Sequence, residues 1–310
     1  MALKAKWPPK AVKLFQANKQ RVYTRKQLAE LLITNAEALG TPRTLTVQRF
    51  IHELQKVGEL RTVEVAPAVG VARGARAANR RPESGSAPAP YKSFSRYVWG
   101  NASAYEMALS LRAGSYLSHA TAVFLHGLTS DIPRTVYANK EQSEKPESLV
   151  ALTQQGIDRA FANKARTSNY IYEFEGTRIV LLSGKNTGNL EVSEVADSTG
   201  RAVPTTKLER ALVDITVRPI YAGGVFNVLE AYRGAHGRVS VPTLVATLRK
   251  LAYAYPYHQA VGFYMQRAGY AEAQLQRLKA LGTDFDFYLT NQIPNPRLDP
   301  EWRVYYPDGL

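Results

Sequence analysis

Residues 66–90 constrain the folding of this chain more than any other feature. They are almost entirely Ala, Pro, Gly, Val, Ser and Arg, and side chains so small or so charged cannot assemble a hydrophobic core. The chain is therefore expected to find its burial in two places. One is a short N-terminal region, residues 1–65; the other is a long one, residues 96–310. By composition, residues 66–95 between them read as a flexible linker or an extended wing. At 310 residues, 45% of them apolar, the chain can stabilise two domains by burial. It must do so unaided, because it has no cysteine for a disulfide, a thiolate metal site or a thiol nucleophile. That absence fits a reducing cytoplasm. The segment from Met1 to Lys10 lacks the apolar stretch of a signal peptide, and no run approaches bilayer-spanning length. A cytoplasmic protein with no membrane partner is expected.

Charge separates the two regions further. Of the formal +14, residues 1–100 supply most, with 18 Lys and Arg against 6 Asp and Glu, whereas residues 101–310 hold 22 against 20. A localised basic excess suits a polyanionic partner, because each neutralised phosphate releases condensed counterions.

The N-terminal region reads as three helices followed by a strand. Pro8 or Pro9 opens the first, whose apolar face is Ala11, Val12, Leu14 and Phe15, and Asn18 ends it. Thr24 caps the second, which carries Leu28, Ala29, Leu31 and Leu32. After a turn around Gly40, with Thr41 as a cap before Pro42, the third places Val47, Phe50, Ile51 and Leu54 on one face and stops at Gly58. Leu60 to Val65 is rich in β-branched residues and reads as the first strand of a wing. This order predicts a winged helix-turn-helix, whose third helix enters the major groove of double-stranded DNA. Opposite the apolar stripe of that helix stand Thr46, Gln48, Arg49, His52, Gln55 and Lys56. Arg suits guanine and Gln suits adenine, while Thr and Lys suit phosphates or base edges. Thr24, Arg25, Lys26, Arg43, Thr44 and Arg61 complete the expected DNA-binding set. Arg73, Arg76, Arg80 and Arg81 are spaced as a basic arm could be along phosphates or a minor groove.

The larger region predicts a mixed α/β domain, so that the whole chain is α+β in class. A strand at Arg96 to Trp99 precedes a helix capped by Ser103, and a second helix spans Ser118 to His126. Asn169 to Glu175 and Thr177 to Ser183 read as a hairpin about Gly176. Thr206 with Glu209 reads as a capping box. Helices follow at Val225 to Arg233, Val241 to Tyr253 and His258 to Leu281, then a strand at Phe285 to Leu289 and an aromatic tail with Trp302, Tyr305 and Tyr306.

Several stretches here resemble a known family. They are Gly114-Ser115-Tyr116-Leu117-Ser118-His119-Ala120-Thr121-Ala122, Leu125-His126-Gly127-Leu128-Thr129, Leu208-Glu209-Arg210-Ala211-Leu212-Val213-Asp214, Arg218-Pro219 and Tyr221-Ala222-Gly223-Gly224. With the N-terminal elements they resemble the AbiEi-type antitoxins of type IV toxin-antitoxin and abortive-infection systems. The resemblance implies a transcriptional autorepressor of a toxin operon. Its cognate toxin would be nucleotidyltransferase-like and countered without a tight protein complex.

Catalytic and metal sites are weighed against this. Neighbouring residues on a helix point about 100° apart, so Ser118 and His119 are expected not to form a nucleophile-base pair. His119 and His126 are spaced too widely for a helical zinc pair. Gly184-Lys185 lacks the Ser or Thr of a phosphate-binding loop, and Asp284 with Asp286 has no third ligand signature. No cofactor or metal is expected. The competing reading is a nucleic-acid-processing enzyme targeted by the winged helix, which should show a deep pocket of converging charges where a repressor should show a packed body. An RNA-binding regulator is equally compatible with charge.

Overall fold

The computed structural model describes residues 7–68, 92–144, 146 and 151–310. Arg73, Arg76, Arg80 and Arg81 lie outside the described residues. The fold mixes helices and sheets and divides into two units. The first comprises Met1–Gly114 with Asn169–Val180, the second Ser115–Ser168 with Leu181–Leu310.

In the first unit, α1 (Pro8–Ala17) is followed by β1 (Val22–Tyr23), α2 (Arg25–Thr34), the single turn α3 (Ala36–Leu39) and α4 (Val47–Lys56). Next come β2 (Leu60–Val65), β3 (Phe94–Trp99) and α5 (Ala104–Leu111). The helices form where caps and apolar spacing agree. Thr24 and Gln27 close a capping box on α2, and Ser103 with Glu106 closes another on α5. The third helix starts later than the sequence suggests: its N-cap is Thr46, not Thr41. Gly40, at φ +67°, ends α3 in the left-handed conformation, so a second turn must be made before α4 can begin.

The strands form one sheet in the order β1-β3-β2. β2 and β3 run antiparallel through six residue pairs, from Leu60 opposite Trp99 to Val65 opposite Phe94. Trp7, Phe15, Leu28, Phe50, Leu54 and Trp99 are all buried between helices and sheet, with the Phe15 and Trp99 rings stacked 4.8 Å apart. The expected boundary at residue 96 therefore falls inside a strand of the first unit. Its cause is pairing: β3 completes the ladder that β2 begins, so residues 66–93 join two strands of one sheet rather than two domains. Residues 169–180 also belong to this unit. They hold β6 (Ile171–Phe174) and most of β7 (Thr177–Leu182), the expected hairpin. Tyr172 bridges Pro67 and meets Phe94 edge-on, and Glu175 pairs with Arg61 at 2.9 Å. An independent domain of residues 96–310 is thus not what the chain builds.

The second unit sets a sheet in the order β5-β4-β9-β8 with a helical core. Its strands are β4 (Tyr116–Leu117), β5 (Thr135–Asn139), β8 (Val192–Ala196) and β9 (Ala202–Thr206), of which β4 and β9 are parallel. The helices are α6 (His119–Leu125), α7 (Gln154–Ala162), α8 (Leu208–Val217), α9 (Val225–Gly234), α10 (Val241–Leu251), α11 (Tyr257–Arg267) and α12 (Glu272–Lys279). A small sheet of β10 (Phe287–Tyr288), β11 (Arg297–Asp299) and β12 (Val304–Tyr306) closes the chain. Two expectations are corrected. The single helix expected over His258 to Leu281 is broken into α11 and α12 at Gly269, whose φ of +81° no helix continues through. The capping box at Thr206 and Glu209 does not form, because Thr206 is held in the β9 ladder and Glu209 accepts instead from the Ser240 N–H at 2.8 Å.

Trp302 anchors the aromatic tail. It is wholly buried, and its ring lies against Gly262 of α11, where a Cβ would fall inside the indole. Ala is worth about 1 kcal/mol over Gly in a helix, but overpacking costs about 1–3 kcal/mol, and here the obstacle is a rigid ring. Gly262→Ala is expected to lower the urea midpoint of unfolding. A midpoint equal to or above the parent's would show that Trp302 has room to move.

Candidate nucleic-acid interface

The expected reading face is built on α4. Phe50, Ile51 and Leu54 turn inward, and Gln48, Arg49, His52 and Lys56 remain exposed on the other side. Thr46 uses its hydroxyl oxygen to accept from the Arg49 N–H at 3.2 Å, fixing the start of the helix. The exposed Arg25 at the start of α2 donates to the Gln48 side-chain oxygen at 3.2 Å, so two elements contribute to one polar surface. Arg43 and Thr44 are exposed in the turn before α4.

Other members of the expected set are occupied. Thr24 is committed to its capping box. The half-buried Gln55 donates to the Thr62 hydroxyl on β2 at 2.9 Å. Lys56 pairs with Glu53, Lys26 with Glu30 and Arg61 with Glu175, exposed pairs that water and salt weaken. Arg96 belongs to the basic excess by count but not by place. It is buried, and it donates to the Ser110 and Leu111 carbonyls at the end of α5.

The histidine-bearing stretch of the second unit differs from expectation in one respect. Ser118 Oγ and His119 Nδ1 are hydrogen-bonded at 2.8 Å. The 100° argument fails because Ser118 precedes the helix in extended conformation, at φ −153°, and His119 is left-handed, at φ +54°. The pair is nevertheless poorly suited to catalysis. Ser118 is buried, and the partly buried His119 ring packs against Tyr137 and Tyr221. Burial, with the charges of Arg210 and Arg218, holds the imidazole down to about 3, far below a useful general base near neutrality. His126 is satisfied separately by the Thr206 carbonyl at 2.7 Å. The remaining candidates are also structural. Lys185 donates to the Leu251 and Ala252 carbonyls at the end of α10, and Asp286 pairs with Arg303.

Arg210 and Asp214, noted in the sequence only for the resemblance, form a buried ion pair that their i, i+4 spacing permits. Both side chains are about nineteen-twentieths buried and meet at 2.7 Å. Arg210 also donates to the Leu190 carbonyl at 3.1 Å. On α8 they lie within an unbroken buried run from Arg210 to Thr216. The carboxylate holds the guanidinium charged despite its burial.

The second unit also contains a half-open cleft of about 570 Å³. Its charged lining residues, Asp131, Arg134, Glu230 and Arg233, are exposed at the mouth, and neither Ser118 nor His119 lines it. Among the described residues no group of three His, Cys, Asp or Glu is placed to hold a metal, and no helix is long and apolar enough to cross a membrane.

No family model and no curated protein matches the chain. Among solved structures, the RV2827C protein from Mycobacterium tuberculosis is similar in fold. It is 15% identical, with a TM-score of 0.55 over 96% of this chain and 90% of that one. The likeness extends through both units and concerns the fold alone.

Two measurements check these assignments. Arg210→Met leaves a carboxylate buried without its partner and is expected to cost about 3–5 kcal/mol in urea unfolding. The double variant Arg210→Met/Asp214→Leu should recover most of that; equal losses would contradict the ion-pair account. For His119, the unfolded chain takes up a proton near pH 6.5 and the folded one only near 3. Stability from this group is therefore complete above about pH 6.5 and falls as the pH drops toward 3. In His119→Asn, whose side chain tolerates the left-handed backbone, the fall over that window should be shallower. Identical pH profiles would remove His119 from the account.

Proposed function

We propose that the chain is a sequence-specific double-stranded DNA-binding regulator, its first unit a winged helix-turn-helix and α4 the reading helix. The observation that carries this reading is the exposed set Gln48, Arg49, His52 and Lys56 on one face of a helix whose opposite face is locked into the core. Arg25 extends that surface from α2. In this reading β2 and β3 are the strands of the wing, and residues 66–93 between them carry the four arginines that would add phosphate contacts. The strong positive excess of the first hundred residues supplies attraction, and α4 supplies discrimination.

The resemblance to AbiEi-type antitoxins extends the proposal to an autorepressor acting in the cytoplasm on its own operon promoter and counteracting a nucleotidyltransferase-like toxin. About half of the residues in the stretches that carry the resemblance are buried, all of those in the second unit. Tyr116, Ser118, Arg210 and Asp214 are buried there, which suits a supporting body. The enzyme alternative gains the Ser118–His119 hydrogen bond, but lacks an accessible nucleophile and a competent base at that pair.

Gel-shift titrations on the chain's own upstream promoter test the proposal. Gln48→Ala and Arg49→Ala should each weaken specific binding by about 1–3 kcal/mol and leave binding to unrelated DNA nearly unchanged. Parent-like affinity in both variants would rule out α4 as the reader. No preference of the parent for its promoter would rule out sequence-specific regulation of that operon.

A further inference from the structure

The cleft of the second unit has an apolar floor that includes Val123, Leu128, Ile215 and Ala222. A cavity of about 570 Å³ is large enough for a small ligand, but its surroundings favour a protein. Ile132, between the lining residues Asp131 and Pro133, is 82% exposed. Phe226, next to the lining residue Asn227, is 49% exposed, and Ile220, two residues before Ala222, is 44% exposed. A small molecule within the cleft would leave all three in water. A protein surface would cover both cleft and lip.

Charge narrows the choice of protein. At the mouth, Glu230 and Arg233 satisfy each other at 2.6 Å. The side chains of Asp131 and Arg134 have no hydrogen-bond or ion-pair partner among the described residues. These two opposite charges stand on either side of Ile132 on one exposed loop, beside an apolar hole. A patch with one projecting apolar side chain, one hole and one unpaired charge of each sign is complementary to itself. A two-fold axis satisfies such a patch, because it brings residue i against j and j against i.

We propose that the chain forms a two-fold dimer through this cleft. Ile132 of each copy enters the cleft of the other, and Asp131 of each faces Arg134 of the other. The occupant is a second copy of the chain, and this reading is independent of DNA binding by α4.

Sedimentation velocity of the full chain over a concentration series tests it without DNA. The parent should show a concentration-dependent monomer–dimer equilibrium. Ile132→Asp, which puts a charge into the apolar hole, should raise the dimer dissociation constant by about a hundredfold. Asp131→Arg and Arg134→Asp should each raise it by about tenfold, equivalent to 1.4 kcal/mol. The double variant Asp131→Arg/Arg134→Asp should return it to near the parent's value, because the exchange rebuilds both ion pairs across the axis. All three positions are exposed, so far-UV circular dichroism, and melting at concentrations where the parent is monomeric, should match the parent and confirm that the fold survives. A parent that remains monomeric throughout the series overturns the proposal. So does a dimer indifferent to Ile132→Asp, or a double variant no tighter than either single one.

Discussion

The ladder between β2 and β3 is the interaction on which the first unit depends. Its six pairs place Leu60 and Trp99 side by side at one end, where both enter the core with Phe15, Phe50 and Leu54. With the sheet closed, α4 has a surface against which to bury its stripe, and the opposite face follows from helical periodicity. The exposure of Gln48, Arg49, His52 and Lys56 thus depends in part on β3, a strand distant from them in sequence. Backbone pairing alone would not suffice: the Phe15–Trp99 stack fixes α1 on the sheet, and the Trp7–Phe50 contact at 5.2 Å fixes α1 on α4.

The second unit depends more on polar atoms held out of water. Around α8, Arg210 joins Asp214 and the Leu190 carbonyl. Nearby, Glu141 accepts from the Tyr116 hydroxyl and from the backbone of Thr187 and Asn189. Asn139 spans Tyr116 and the Gly184 N–H, where a Cβ at residue 184 would press on the Asn139 amide. Burial raises the cost of leaving any of these groups unpaired, so the network specifies one arrangement of loop, strand and helix. It gives Tyr116, Asn139, Arg210 and Asp214 a structural role in the second unit.

Local signals in the sequence were informative where the physics is local. Thr24, Ser103 and the alternation about Gly176 lie within a few residues of the caps and hairpin they specify. The apolar spacing of Phe50, Ile51 and Leu54 likewise marks the face of α4. Partners distant in sequence were not legible. Nothing in Phe94–Trp99 itself says that it pairs with Leu60–Val65 across an intervening segment, and two-residue strands such as Tyr116–Leu117 are too short to show a period. The Ser118–His119 contact was hidden for another reason: it requires a left-handed backbone at His119, uncommon in residues other than glycine, and nothing in the adjacent sequence marks it. Of the expected reading residues, exposure followed from periodicity, whereas the tertiary partners of Gln55 and Arg61 did not.

The hairpin at residues 169–180 has a consequence for how the chain is made. It belongs to a unit whose other residues end at Gly114, so the ribosome finishes that unit out of order. The intervening residues take several seconds to synthesise at about 5–20 residues per second. During that interval the first 114 residues emerge without Tyr172 to cover Phe94 or Glu175 to meet Arg61. The nascent basic head therefore waits, incomplete, for a segment that arrives only after the second unit has begun to emerge. An mRNA broken before codon 169 would yield a head with an unfinished edge, so completing the first unit depends on an intact message through that hairpin.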